Sequence, residues 1–168
     1  MKTCTPRRWP GRATPSPAKR TRGTGCCCSE GPIVLKGIQH VDDARKAVEA
    51  GMDGIIVLNH GGRQLDGAIG SPEVLPEIVD AVRNDITIPF DSGVRTGADV
   101  INALCLGAKG VCIRQPWVHG LGIAGKAGAK EVLQGILADL DQIMRLAGIK
   151  DTVGCERAML RRVSYGAD

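Results

Sequence analysis

The sequence predicts an α/β protein built on a parallel sheet, on three observations. Four short apolar runs recur along the chain, a helix-length amphipathic segment follows each, and each run ends in a charged or polar cluster. Near-continuous apolar runs are what strands covered on both faces require, and strands alternating with helices mean βα units. The first run is Pro32-Ile33-Val34-Leu35, ending in Lys36-Gly37, with a helix predicted over 42–50. The second, Gly54-Ile55-Ile56-Val57-Leu58, opens into a polar loop; a helix over 72–83 follows, with Ser71 as its cap candidate. The third, Ile86-Thr87-Ile88-Pro89-Phe90, ends in Asp91-Ser92-Gly93-Val94-Arg95, ahead of a helix over 98–106. The fourth, Gly110-Val111-Cys112-Ile113, ends in Arg114-Gln115. Its helix, over 129–147, carries Val132, Ile136, Leu140, Ile143 and Ala147 at spacings of three and four, a single apolar stripe. In parallel α/β architectures ligands sit at the C-terminal ends of the strands, where these charged residues fall.

Charge divides the chain into unlike parts. Residues 1–30 hold seven of the 22 basic residues among several prolines, with no acidic residue before Glu30 and no apolar periodicity, the signature of a disordered leader. Without residues 1–29 the balance is 15 basic against 18 acidic, so the basic character belongs to the leader and not to the domain. A nucleic-acid-binding segment, a transit peptide and an unrelated leader are all compatible with this composition, although the prolines oppose the amphipathic helix a transit peptide needs. The expected organisation is a leader over 1–30, a folded domain over 31–150 and a tail over 151–168. Seven cysteines offer no Cys-x-x-Cys pair and no histidines at zinc spacing, so no metal site is expected; Cys105 and Cys112 read as small buried hydrophobes. No run of about 18 apolar residues is present. A soluble, cytoplasmic protein is expected, with mitochondrial import as the alternative and neither a nucleic acid nor a membrane as partner of the domain.

The run Asn59-His60-Gly61-Gly62-Arg63-Gln64-Leu65-Asp66-Gly67 carries the most chemistry. It presents a base and an anion clamp three residues apart, directly after a buried strand. The plainer alternative is a polar turn whose His60 caps a neighbouring element and whose Arg63 forms a structural salt bridge.

Leu35-Lys36-Gly37, the Asn59 to Gly67 run and Asp91-Ser92-Gly93-Val94-Arg95-Thr96-Gly97 together resemble the C-terminal half of the FMN-dependent α-hydroxy acid oxidoreductases, the family of lactate 2-monooxygenase, glycolate oxidase and flavocytochrome-type lactate dehydrogenase. The likeness runs from about residue 31 to 148 with motif order and spacing kept. Asp91-Ser92-Gly93 and the stretch Gly120-Leu121-Gly122-Ile123-Ala124-Gly125 point to the lactate 2-monooxygenase-like branch. The resemblance implies a (β/α)8 barrel, which takes about 250 residues. Residues 31–150 are therefore expected to form part of a TIM barrel, strands five to eight with their helices, whose two open sheet edges favour self-association or a homo-oligomer.

The same resemblance implies FMN as cofactor and a small L-2-hydroxy acid, lactate-like, as substrate. It makes His60 the catalytic base and Arg63 the clamp on the substrate carboxylate. Lys36 would stabilise negative charge on the reduced flavin, Asp91 would bond the ribityl chain, and Ser92, Gly93, Val94 and Arg95 with Arg114 and Gln115 would hold the phosphate. Three departures stand against this pattern. Arg114-Gln115-Pro116 replaces the family's Gly-Arg-Pro, and a side chain at the glycine position risks a clash or a forbidden φ. Leu58 replaces a serine. The aspartate that orients the histidine and the pocket tyrosines belong to the other half, Tyr165 being the one tyrosine here. The expected function is FMN-dependent oxidation of an L-2-hydroxy acid by a truncated form. The alternatives are an inactive half-barrel that folds or associates only with a partner, and a barrel binding a nucleotide monophosphate.

Overall fold

Four parallel strands lie side by side in chain order, β1-β2-β3-β4, in a computed structural model that describes residues 31–163. The leader over 1–30 and Tyr165 fall outside the described residues. Strands β1 (Val34–Ile38) and β2 (Gly54–Val57) pair over most of their length. The strands β3 (Pro89–Phe90) and β4 (Gly110–Val111) are only two residues long, Pro89 having no N–H to give the ladder, although the Asp91 and Cys112 N–H groups still donate to Val57 and Phe90 of the neighbouring strands. Thr87 still bridges to Gly54, so the sheet continues below the formal strand. The expected strands are in place but shorter, apart from β1, which runs on past Leu35 so that Lys36 lies within it.

Helices α1 (Val41–Glu49), α2 (Ser71–Val82), α3 (Gly97–Cys105) and α4 (Gln115–Leu146) return the chain between strands. In β2, Ile55 and Val57 are fully buried while Ile56 between them is only partly so, the alternation expected when the helices cover one face. Their main partners beneath the helices are Leu75 and Ile78 of α2, with Ile88 and Phe90. Strand β1 departs from the prediction of a buried strand: Val34 and Leu35 are 44% and 38% exposed. It is an edge, pairing with β2 alone among the described residues.

Two helix starts differ from their sequence reading. Ser71 does not cap α2: Gly70 occupies the cap without a side-chain bond, and the fully buried Ser71 hydroxyl accepts instead from the Asn59 N–H at 2.9 Å. Helix α4 starts about fourteen residues earlier than predicted and is broken at Ala124 and Gly125, the latter at φ 59°. The break turns the chain so sharply that a Cβ on Gly120 would stand 2.5 Å from the Gly128 carbonyl oxygen. Only glycine allows that approach. Beyond it, Ile136 is buried and Val132 and Leu140 pack on the core, as the stripe predicted.

Residues 151–160 stay on the domain. Cys155 and Leu160 pack against Ile101 and Cys105 of α3, and Arg157 grips Asp80 of α2 with two nitrogens, at 2.9 and 3.1 Å. No helix among the described residues is long and apolar enough to cross a membrane.

Candidate functional site

The C-terminal ends of β1, β2 and β3 bring Lys36, His60 and Asp91 together. At β2 the chain enters a tight turn in which His60, Gly61 and Gly62 all take left-handed φ values of 54°, 68° and 72°. The glycines adopt this freely, but His60 does so against steric cost, and such strain in a side chain's backbone marks a held position. Asn59 does the holding: its Oδ1 accepts from the Gly61 N–H at 2.9 Å and from the Ser92 hydroxyl at 3.4 Å, while its own N–H donates to buried Ser71. The half-buried imidazole lies across β1. A Cβ on Gly37, itself at φ 95°, would come 2.8 Å from His60 Nε2. The pairing register of β1 shifts between Lys36 and Ile38, a bulge centred on that glycine.

Beside it Lys36 is ion-paired with Asp91, whose side chain is 9% exposed against 41% for the lysine. Cys112 lies next to this pair: partial burial and the Asp91 carboxylate push its thiol above the ordinary range, against the opposing pull of Lys36. Cys112 is only partly buried and not, as predicted, a buried hydrophobe. Arg63 is exposed and folds back to donate from Nε to the His60 carbonyl at 3.2 Å, so base and guanidinium share one turn, and among the described residues no carboxylate forms a salt bridge with it.

After Asp91, Gly93 is exposed at φ 66°, and no atom lies within 4 Å of where a Cβ would stand. Val94 is 4% exposed and belongs to the core, so its backbone alone faces the loop. Arg95 donates from its guanidinium to Gln115 Oε1 at 3.5 Å, linking the loop to the first turn of α4. Arg114 precedes that turn with φ −117°. The expected forbidden φ does not arise, because the backbone here never enters the region that demands glycine. Arg95, Gly93 and the start of α4 form one end of the site, and Lys36, Asp91 and His60 the other.

Asn59, Ser71 and Gly37 were not singled out from sequence as site residues. An asparagine ahead of His-Gly-Gly is a recognisable Asx-turn signal. Nothing in the sequence marks Ser71 as an acceptor for a residue twelve positions upstream.

Consecutive parallel βα units, with His60, Arg63, Arg95, Arg114 and the Lys36–Asp91 pair gathered at the strand ends, define an α/β protein of the barrel class with its charged groups where such folds place their sites. The model of the FMN-dependent dehydrogenase family matches residues 27–162. The FMN-dependent alpha-hydroxy acid dehydrogenase qulF of Penicillium citrinum is 61% identical over 139 residues, 83% of this chain and 35% of that protein. The mouse 2-hydroxyacid oxidase 1 is 44% identical over 78% of this chain and 35% of its own length. A crystal structure of mandelate oxidase with benzoyl-formic acid superposes with a TM-score of 0.74 at 43% identity, covering 77% of this chain and 38% of that one. The chain belongs to the FMN-dependent dehydrogenase family, and its four strands form part of a TIM barrel. It spans about a third of the length of the curated relatives it matches.

Proposed function

We propose that this chain carries the base, the carboxylate clamp and the phosphate loop of an FMN-dependent oxidoreductase acting on a small L-2-hydroxy acid of the lactate type. The observation that carries the reading is the meeting of His60, Lys36 and Asp91 at three strand ends, with Arg63 on the histidine's own turn. The donor set fits FMN. Open space over Gly93 allows the backbone to approach a phosphate, and the exposed Arg95 and Arg114 with Gln115 offer charge and hydrogen bonds there. Asp91 and Ser92 provide acceptors and a hydroxyl for a polyol chain, and Lys36 a cation for the ring system. When bound, FMN accepts the two electrons released as the 2-hydroxy acid becomes a 2-oxo acid.

The chain's own residues do the rest. His60 takes the substrate's proton at Nε2, the ring nitrogen facing Gly37, and the Asn59 turn fixes its position. Arg63 binds the substrate carboxylate through its two terminal nitrogens, since its present contact uses only Nε. Lys36, held by Asp91, supplies a fixed positive charge where negative charge develops.

Purified chain with bound flavin absorbance, bleached on anaerobic addition of L-lactate, is the expected result. His60→Ala should abolish bleaching and leave FMN affinity within a few-fold, whereas loss of FMN together with bleaching would overturn the assignment of His60 to substrate. A second reading has its own observation: Val34 and Leu35 on β1 and Leu133 and Leu137 on α4 are exposed. On that reading the fragment alone is inactive. Co-expression with the N-terminal part of a related full-length enzyme would then raise both soluble yield and flavin content.

A further inference from the structure

Cys105 and Cys155 meet beneath the C-terminal segment, away from the strand-end site. Cys105 closes α3 and is 3% exposed, whereas Cys155 follows the short helical turn Thr152–Gly154 and is partly exposed. Both belong to one apolar cluster with Ile101, Ile149 and Leu160. The packing of Cys155 on this cluster is what brings the second thiol to the buried one. Burial, first, and the neighbouring thiol push Cys105 above the ordinary range, against the opposing effect of the Glu156 backbone. Arg157 holds the same segment on Asp80, so Cys155 is kept against α3 and does not swing with a loose end.

We propose that Cys105 and Cys155 form a peroxide-sensitive thiol pair that closes to a disulfide and fastens the C-terminal segment to α3. Cys155, the more exposed, is oxidised first: its sulfur attacks hydrogen peroxide, the O–O bond breaks, and a sulfenic acid and one water form. The Cys105 sulfur then attacks the sulfenic sulfur, the S–O bond breaks, and a second water leaves. Overall two thiols and one hydrogen peroxide give one disulfide and two waters. The pairing does not depend on the catalytic reading above, because neither cysteine touches the strand-end groups.

Hydrogen peroxide treatment of the full chain, followed by peptide mapping without reduction, tests this. The expected product is a peptide linked through Cys105 and Cys155, two hydrogens lighter and released by a thiol reductant. Limited proteolysis within 150–163 should slow by about fivefold on oxidation, since cleavage follows local opening. Cys155→Ser should abolish both the link and the protection while Cys112→Ser leaves both intact. Because Cys105→Ser disturbs a buried position, the half-buried Cys155→Ser variant keeps the test decisive. Peroxide that links Cys105 to another cysteine, or drives Cys155 to sulfinic acid with no link in folded protein, would overturn the proposal.

Discussion

The His60 imidazole leaves no room for a side chain at residue 37. Gly37→Ala faces two costs together: an alanine at φ 95° and a methyl 2.8 Å from Nε2. The expected loss is about 1–3 kcal/mol, read from urea unfolding, with displacement of the His60 ring resonances by NMR. An unchanged histidine environment would show that the ring is not seated on β1. The Lys36–Asp91 pair makes a sharper comparison, because its partners are unequally buried. Asp91→Asn leaves a lysine that reaches water, and about 1–2 kcal/mol should be lost. Lys36→Met leaves a buried carboxylate without its cation, which should cost more, up to about 3–5 kcal/mol. Denaturation midpoints at neutral pH give the order of the two variants, and a reversed order would contradict the burial asymmetry.

Helix α3 shows how an element is tied at its start. Thr96 and Asp99 form a reciprocal capping box, and the Gly97 N–H donates to Asp139 of α4 at 2.6 Å. Thr96→Ala should cost about 1 kcal/mol. Gly97→Ala should cost about 1–3 kcal/mol, because its methyl would strike the α4 backbone at Leu140. Acid tests the same cap. Burial pushes the Asp99 carboxyl up, but hydrogen bonds from Arg95 and Thr96 outweigh it and hold the group below its ordinary range. The Arg157 hydrogen bonds lower Asp80 likewise. A carboxylate depressed in the folded state contributes stability above its unfolded value, about 4, and loses it as pH falls through the folded value. Urea midpoints should therefore be flat between about pH 5 and 7 and fall below about 4, with a shallower fall in Asp99→Asn.

How far these elements were legible follows from what each depends on. Apolar runs and helical stripes are local patterns, so all four βα units could be read from sequence. The His60 turn and the Asp91 to Arg95 loop could be read as well, because their residue types are unusual side by side. The cap of α2 could not: a serine before a helix usually bonds that helix, and here the tertiary demand of the Asn59 N–H prevailed. The early start of α4 was hidden because a glycine-rich stretch reads as a loop, whereas Gly120 and Gly128 are there to let two helical segments touch.

At the scale of the whole molecule, β1 pairs only with β2 and β4 only with β3 among the described residues. Unpaired backbone on both flanks, with Val34 and Leu35 exposed on one, is a template for another chain. Isolated protein should elute above its 17.7 kDa monomer mass, with the larger species growing with concentration. Lys at Val34 should return it towards monomer, and sedimentation velocity decides the matter; a monodisperse monomer at every concentration would show that the flanks are protected.

The in-order arrangement of the strands also sets a timetable. Val34 meets Gly54, Val57 meets Phe90 and Phe90 meets Val111, so every strand pairing joins neighbours along the chain. Short loops close early and at low entropic cost, so each βα unit can dock on the one made before it while later residues are still leaving the ribosome. The grip of Arg157 on Asp80 spans 77 residues and cannot form until almost the whole domain exists. Together with the packing of Leu160 on Ile101, it belongs to the contacts that only a nearly finished domain can make.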